Sequence, residues 1–296
     1  MKRISLLLCL ILILFCGCST PKIEKSGIKI VASVFSCYDF ARAVTGEDAN
    51  IEMLIDAGGE IHSFEPTAKD IINIGESDMF IYVGGESDKW VERVLSSVDT
   101  KKVHIFKMTD YVPLLNEDNS EEYDEHNWTS PENAKALINA IANVLSEIDA
   151  KNTEKYTENA KTYIQKIDIA AEQIKQTVEN AKNKQFVVAD RFPLKYFAEY
   201  YGLSYRAAFA GCEHDTDADL KTVTELIDTV KNNQLSAVFH IELSNKRLAN
   251  TVAEQTGVAV YELHSAHNIT ADDFNNGVTY VDIMERNNKV LQKGLN

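Results

Sequence analysis

The chain has 296 residues, with 30 Lys and Arg against 45 Asp and Glu, for a formal net charge of −15. Apolar residues at 45% and charged residues at 25% are the composition of a folded globular protein and exclude a disordered one. The acid excess argues against nucleic acid as the main partner, because a phosphate backbone would be repelled.

The first segment is a targeting signal. Lys2 and Arg3 precede a run at 4–16 that is apolar except for Ser5. Such a run is too short for a membrane-spanning helix of ~20 residues and has the length of a secretory apolar core. It ends in Phe15-Cys16-Gly17-Cys18-Ser19, which resembles a bacterial lipobox, so Cys18 is the expected lipidated N-terminus. This reading gives a signal peptide at 1–17, a lipidated tether at 18–27 and an extracytoplasmic body anchored to the bacterial cell membrane. Cleavage removes Lys2 and Arg3, leaving 28 bases against 45 acids and a charge of −17. Cys37 and Cys212 then remain in an oxidising compartment, either as a disulfide or as two buried thiols.

Strand-like and helix-like runs alternate through the body. Strands are expected at 28–35, 51–55, 79–83 and 103–108, with a helix from Thr67 whose Asp70 stands three positions on, close to a capping box. Ser130-Pro131-Glu132 reads as the start of another helix, with Ser130 as N-cap. From 151 to 184 there is neither Gly nor Pro. Apolar residues there fall at Tyr156, Ala160, Tyr163, Ile167, Ala170, Ile174, Val178 and Ala181, a single helical stripe long enough for ~50 Å of helix. Strands resume at 186–189, 205–209, 237–241 and 258–263, with a terminal helix at 276–291.

The expected fold is therefore α/β, with two (βα)4-type lobes at 28–150 and 185–296. Their parallel sheets are joined by one long, rigid helix at 151–184. Ligands of such sheets bind at the carboxyl ends of the strands, here in the cleft between lobes.

Seven histidines are present. His104 and His240 lie within strand patterns and read as packed core residues. His62, His126, His214, His264 and His267 lie in loops, where several imidazoles converging on one cleft would make a metal site. The stretch 108–134 carries eight acids and no Lys or Arg. It reads either as a weak cation-enriching segment or as a solvated loop.

GGEIHSFEPT at 58–67 and DEHNWTSPENA at 124–134 resemble the two His-bearing loops of the solute-binding proteins of zinc and manganese ATP-binding-cassette importers. GVTYVDIMERN at 277–287 resembles their terminal helix. The resemblance runs from residue 28 onward, and by it His62 and His126 are the first two ligands. The usual third-ligand position holds Arg191, which cannot ligate a cation. Asp190 is the nearest substitute, and Glu213, His214 and Asp215 lie in a nearby loop. The fourth ligand falls in ELHSAHNIT, with His267 favoured and His264 close behind.

A His-rich site favours Zn(II), with Mn(II) the next candidate. The function implied is capture of a divalent metal and delivery to a cognate membrane permease by a monomeric, non-enzymatic lipoprotein. Metal release is expected to begin as pH falls below ~6.5, the ordinary imidazole pKa. The competing readings are a secreted zinc hydrolase, against which the absence of His-Glu-x-x-His speaks, and a surface adhesin.

Overall fold

In a computed structural model, residues 27–61, 63–117, 121–211 and 218–296 are described. The leader, Cys18, His62 and the 212–217 segment with Cys212 and His214 lie outside them. The first sheet is built from β1 (Lys29–Ala32), β2 (Asn50–Met53), β3 (Met79–Tyr82) and β4 (His104–Lys107). The second comprises β5 (Gln185–Val188), β6 (Ser204–Ala207), β7 (Ala237–Ile241) and β8 (Ala259–Leu263). Both are wholly parallel and share one strand order, β2-β1-β3-β4 and β6-β5-β7-β8. In each the order reverses beside the first strand, which opens a crevice at the carboxyl ends.

Parallel sheets need both faces covered, and the strand residues divide by parity to provide this. Ile30, Ala32, Met79 and Ile81 enter the large central core, whereas Val31 and Phe80 enter an outer cluster with Ile74, Trp90 and Val94. In the second sheet Phe186, Val188, Ala237 and Phe239 face the central core, and Val187 and Val238 face an outer cluster with Leu226 and Val252. The central core is continuous from one sheet to the other.

The helices that cover the sheets are α1 (Phe35–Thr45), α2 (Ala68–Gly75), α3 (Trp90–Leu95), α4 (Pro131–Ile148) and α5 (Thr153–Glu179). The second half adds α6 (Lys195–Tyr201), α7 (Leu220–Asn232), α8 (Arg247–Thr256), α9 (Ala271–Asn275) and α10 (Tyr280–Gly294). The long α5 has 27 residues, preceded by a 3₁₀ turn at Ala150–Asn152. Its expected stripe is buried from Tyr156 to Val178, and it packs against α1 and α4 of the first half and α10 of the second. No helix of the described residues is long and apolar enough to cross a membrane.

Local signals act largely as read. Thr67 and Asp70 form the reciprocal capping box at α2, and a second one, Thr279 with Asp282, starts α10. The expected terminal helix at 276–291 is α10, which starts later, at Tyr280, because Gly277 at φ +70° separates it from the short α9. Ser130 stands at the N-cap of α4, but its side chain makes no cap bond and Pro131 sets the start instead.

One polar node crosses the whole molecule. Asp39 in α1 is 1% exposed. Its carboxylate accepts from Arg42 Nη2 at 2.5 Å, from the Tyr163 hydroxyl of α5 at 2.5 Å and from the Tyr280 N–H of α10 at 2.9 Å. Arg42 also donates to the Val278 carbonyl at 2.8 Å. Tyr280 in turn donates its hydroxyl to the Trp128 carbonyl at 2.8 Å.

Cys37 is a free, fully buried thiol that donates to Met108 Sδ at 3.2 Å. Burial, then the negative charge of Asp88, pushes its pKa up to about 12. At pH 8 only about one part in 10⁴ would be thiolate, the reactive form. Iodoacetamide labelling mapped by mass spectrometry should therefore leave Cys37 unmodified in the native protein and label it after unfolding. Labelling at equal rates in both states would contradict this burial.

Candidate metal centre

The cleft is a cavity of about 130 Å³. Its walls come from the carboxyl ends of strands in both sheets: Gly58–Ile61 after β2, Arg191 and Pro193 after β5, Glu242 after β7, and His267 and Asn268 after β8. His126 enters from the loop before α4. Ligand atoms of Glu125, His126 and His267 lie within 4.8 Å of one another, all in buried side chains. Two imidazoles and one carboxylate at that separation suit a divalent transition metal.

Each of the three is placed by identifiable partners. Asp124 Oδ1 accepts both the His126 backbone N–H at 2.7 Å and His126 Nδ1 at 2.9 Å. A carboxylate on one ring nitrogen fixes the tautomer and turns Nε2 toward a metal. Glu125 reaches across to the exit of β3, where its Oε2 accepts the Ser87 N–H at 3.0 Å. This approach requires Gly85, since a Cβ there would stand 2.0 Å from Glu125 Oε2 and 2.2 Å from its Cβ.

His267 is set by Glu242, 6% exposed, whose carboxylate accepts from the Ser265 N–H at 2.8 Å, the Ser265 hydroxyl at 2.5 Å and the His267 N–H at 3.3 Å. The His267 carbonyl accepts the Phe35 N–H at the start of α1, 3.2 Å away. Trp128, fully buried, has ring centroids 5.4 Å from His126 and 5.0 Å from His267. Its Nε1–H donates to the Ser265 carbonyl at 2.8 Å and so pins the two His loops together.

The other candidates stand elsewhere. His264 and His267 are three residues apart, but Ala266 between them takes φ +61°, a left-handed turn that costs a non-glycine residue ~1–2 kcal/mol. His264 turns away from the cleft, beside Thr129, Pro131 and Asn287 in a separate small cavity. There its Nδ1 accepts the Ala266 N–H at 3.0 Å. Asp190 accepts the Arg191 N–H at 2.9 Å and lines a neighbouring cavity with Ser244, Asn245 and Arg247. Neither belongs to the three-residue group.

Positions 62 and 214 lie outside the described residues. The loop leading to position 62 is nevertheless held against the His267 loop, because Asn268 Nδ2 donates to the Gly59 carbonyl at 2.7 Å and the Asp56 carbonyl at 3.3 Å. Glu125 is the site residue that reading the sequence for histidines overlooks. Its one local signal is adjacency to His126.

Burial alone would lower the His126 pKa, but Asp124 outweighs it through charge and hydrogen bonding, and the pKa is raised. The protonated ring is therefore favoured, and proton competition with a metal begins above the ordinary imidazole pKa of ~6.5. In the metal-free protein the sign is opposite. The imidazolium–Asp124 pair stabilises the fold fully below ~6.5 and is lost as pH rises through the raised value. Chelator-competition titrations should show metal affinity already falling between about pH 7.5 and 6.5, and unchanged affinity over that interval would contradict the assignment.

Two parallel-sheet lobes joined by one long helix, with a buried His/carboxylate group beside the cleft, define a two-lobed α/β cleft protein. Residues 30–294 match the family described as zinc-uptake complex component A, periplasmic, and the chain belongs to that family.

It is 32% identical over 307 residues to the zinc-binding lipoprotein AdcA of Streptococcus pneumoniae, covering 99% of this chain and 61% of that protein. It thus spans about three-fifths of the length of that relative. Over 305 residues it is 25% identical to the high-affinity zinc uptake system protein ZnuA of Bacillus subtilis, covering 97% and 95%.

Among solved structures, the Zn(II)-bound ZnuA-like domain of S. pneumoniae AdcA superposes with a TM-score of 0.79 at 32% identity, over 91% of this chain and 99% of that one. The laminin-binding protein Lmb of Streptococcus agalactiae, described as having both adhesin and metal-transporting activity, superposes with a TM-score of 0.79 at 26% identity, over 91% and 100%.

Proposed function

We propose that this protein captures a divalent transition metal, Zn(II) before Mn(II), outside the cytoplasmic membrane and passes it to the permease of an ATP-binding-cassette importer. The observation that carries the reading is the convergence of Glu125, His126 and His267, from opposite halves of the chain, into one buried group whose two histidines line the cleft. His62, three positions after Gly59 in the sequence, is the further donor that would complete a tetrahedral zinc set. His264, Asp190 and His214 are not needed for that set.

Two imidazoles favour zinc over manganese, which prefers oxygen ligands. A closed four-ligand site also serves transport better than hydrolysis, since catalytic zinc keeps an open position for water. Metal arriving in the cleft bridges the two sheets. The continuous core and the Asp39 node join both halves to α5, so closure should be small rather than a wide hinge swing. Lipidation at Cys18 would hold the acidic body at the membrane beside its permease.

The test is growth of the source bacterium, with the chromosomal copy deleted, under zinc limitation. Complementation by the intact chain should restore growth, and complementation by a Cys18→Ala chain should restore it poorly. Equal growth of the deletion strain and its parent under zinc and manganese limitation would contradict the transport role.

A further inference from the structure

Arg191 is an unusual wall for a cation cleft. It lines the cavity that holds His126 and His267, and it also lines the neighbouring cavity with Asp190. Its Nε is buried and has no hydrogen-bond partner among the described residues. A buried guanidinium N–H without an acceptor is costly, because its desolvation is not repaid.

Three carboxylates share these walls with Arg191: Glu242 takes Ser265 and His267, Asp190 takes the Arg191 backbone N–H, and Glu60 lines both cavities without accepting the Nε–H. Nor is the loop loose. Phe192 stacks on Tyr205 with centroids 3.8 Å apart and pairs with Gly211 in an isolated antiparallel bridge. A cavity of about 130 Å³ also exceeds what a bare ion needs, since a single water takes ~10–15 Å³ of such space.

We propose that the cleft takes its cation together with a small planar oxyanion, a carboxylate or carbonate, which Arg191 holds against the metal. The guanidinium fork matches such an anion in a two-point geometry that no cation ligand could use. This inference rests on the metal-binding reading and deepens it: the substrate is a metal–oxyanion pair rather than the ion alone. The oxyanion has two sources of the same chemistry, inorganic bicarbonate or the carboxylate of an amino acid already chelating the metal.

Binding coupling of this kind is reciprocal and typically amounts to 5–150-fold. Zinc occupancy of the chain from residue 19 onward should be measured over a series of free-zinc levels, each read by a chromophoric chelator and matched between arms, in a non-coordinating buffer. Parallel arms carry sodium acetate, bicarbonate, glycine or perchlorate. Zinc affinity should rise roughly tenfold with a carboxylate or bicarbonate and stay unchanged with perchlorate.

Bicarbonate acting best assigns an inorganic co-ligand, and glycine acting best assigns uptake of a metal–amino-acid complex. Arg191→Met should still bind zinc but lose the anion effect. In the Co(II)-loaded protein the visible bands should shift on adding acetate in the wild type and not in Arg191→Met. Identical zinc affinity in every anion, or the same coupling in Arg191→Met, would overturn the proposal while leaving metal capture intact. A wild-type chain that binds no zinc in any arm would instead overturn the function itself.

Discussion

Replacing Asp39 by alanine should lower the stability of the fold by about 3 kcal/mol, a large share of the ~5–15 kcal/mol typical of a domain. The carboxylate is 1% exposed and accepts from groups of three helices: Arg42, which also donates to the Val278 carbonyl, the Tyr163 hydroxyl and the Tyr280 N–H. Its removal leaves the two latter donors buried without partners, at ~1–3 kcal/mol each. The Arg42 side chain is 27% exposed and can rehydrate, so its share is discounted.

Asp39→Asn keeps an acceptor oxygen and should lose about half as much. Thermal melts read the difference, with a fall of roughly 5–10 °C for the alanine variant. A change below about 2 °C would show that the node does not join the halves energetically.

Glu125→Gln should weaken zinc binding by about 10²–10³-fold with little change in the melting temperature of the metal-free protein. A four-ligand protein zinc site is worth ~10–16 kcal/mol, or roughly 3–4 kcal/mol per ligand, which is that range of affinity. Glutamine retains the acceptor for the Ser87 N–H and fits the space that Gly85 leaves, so the loop should hold its shape. Competition titration of the variant beside the wild type measures the ratio. Affinity within threefold of wild type would remove Glu125 from the ligand set and leave it a loop anchor.

The architecture is legible in the sequence wherever burial imposes a short period. Alternate residues of Ile30-Val31-Ala32 face different cores, and the Tyr156-to-Val178 stripe faces one. Both patterns follow from backbone geometry alone. His126 is legible for another reason: it stands in a compact motif beside Trp128 and Pro131, and the local chain fixes most of its surroundings.

What is not legible depends on contacts distant along the chain. Glu125 sits among acids that read as a solvated loop, and it is buried because Gly85 and Ser87, about forty positions earlier, leave a slot for it. The choice between His264 and His267 turns on the left-handed backbone at Ala266, and an alanine gives no warning of that conformation. Arg191 is identifiable as a non-ligand from its chemistry. Its place in the cavity wall follows from how the loop after β5 packs on Tyr205 and Gly211.

The central claim is that one divalent metal binds where His126 and His267 converge. Elemental analysis of the purified chain from residue 19 onward, saturated with zinc and then freed of excess, tests it most directly. The account predicts about one zinc per chain for the wild type and none for the His126→Ala/His267→Ala double variant, with both proteins sharing the same circular dichroism spectrum. Full zinc occupancy in a folded double variant would place the metal elsewhere and contradict the account.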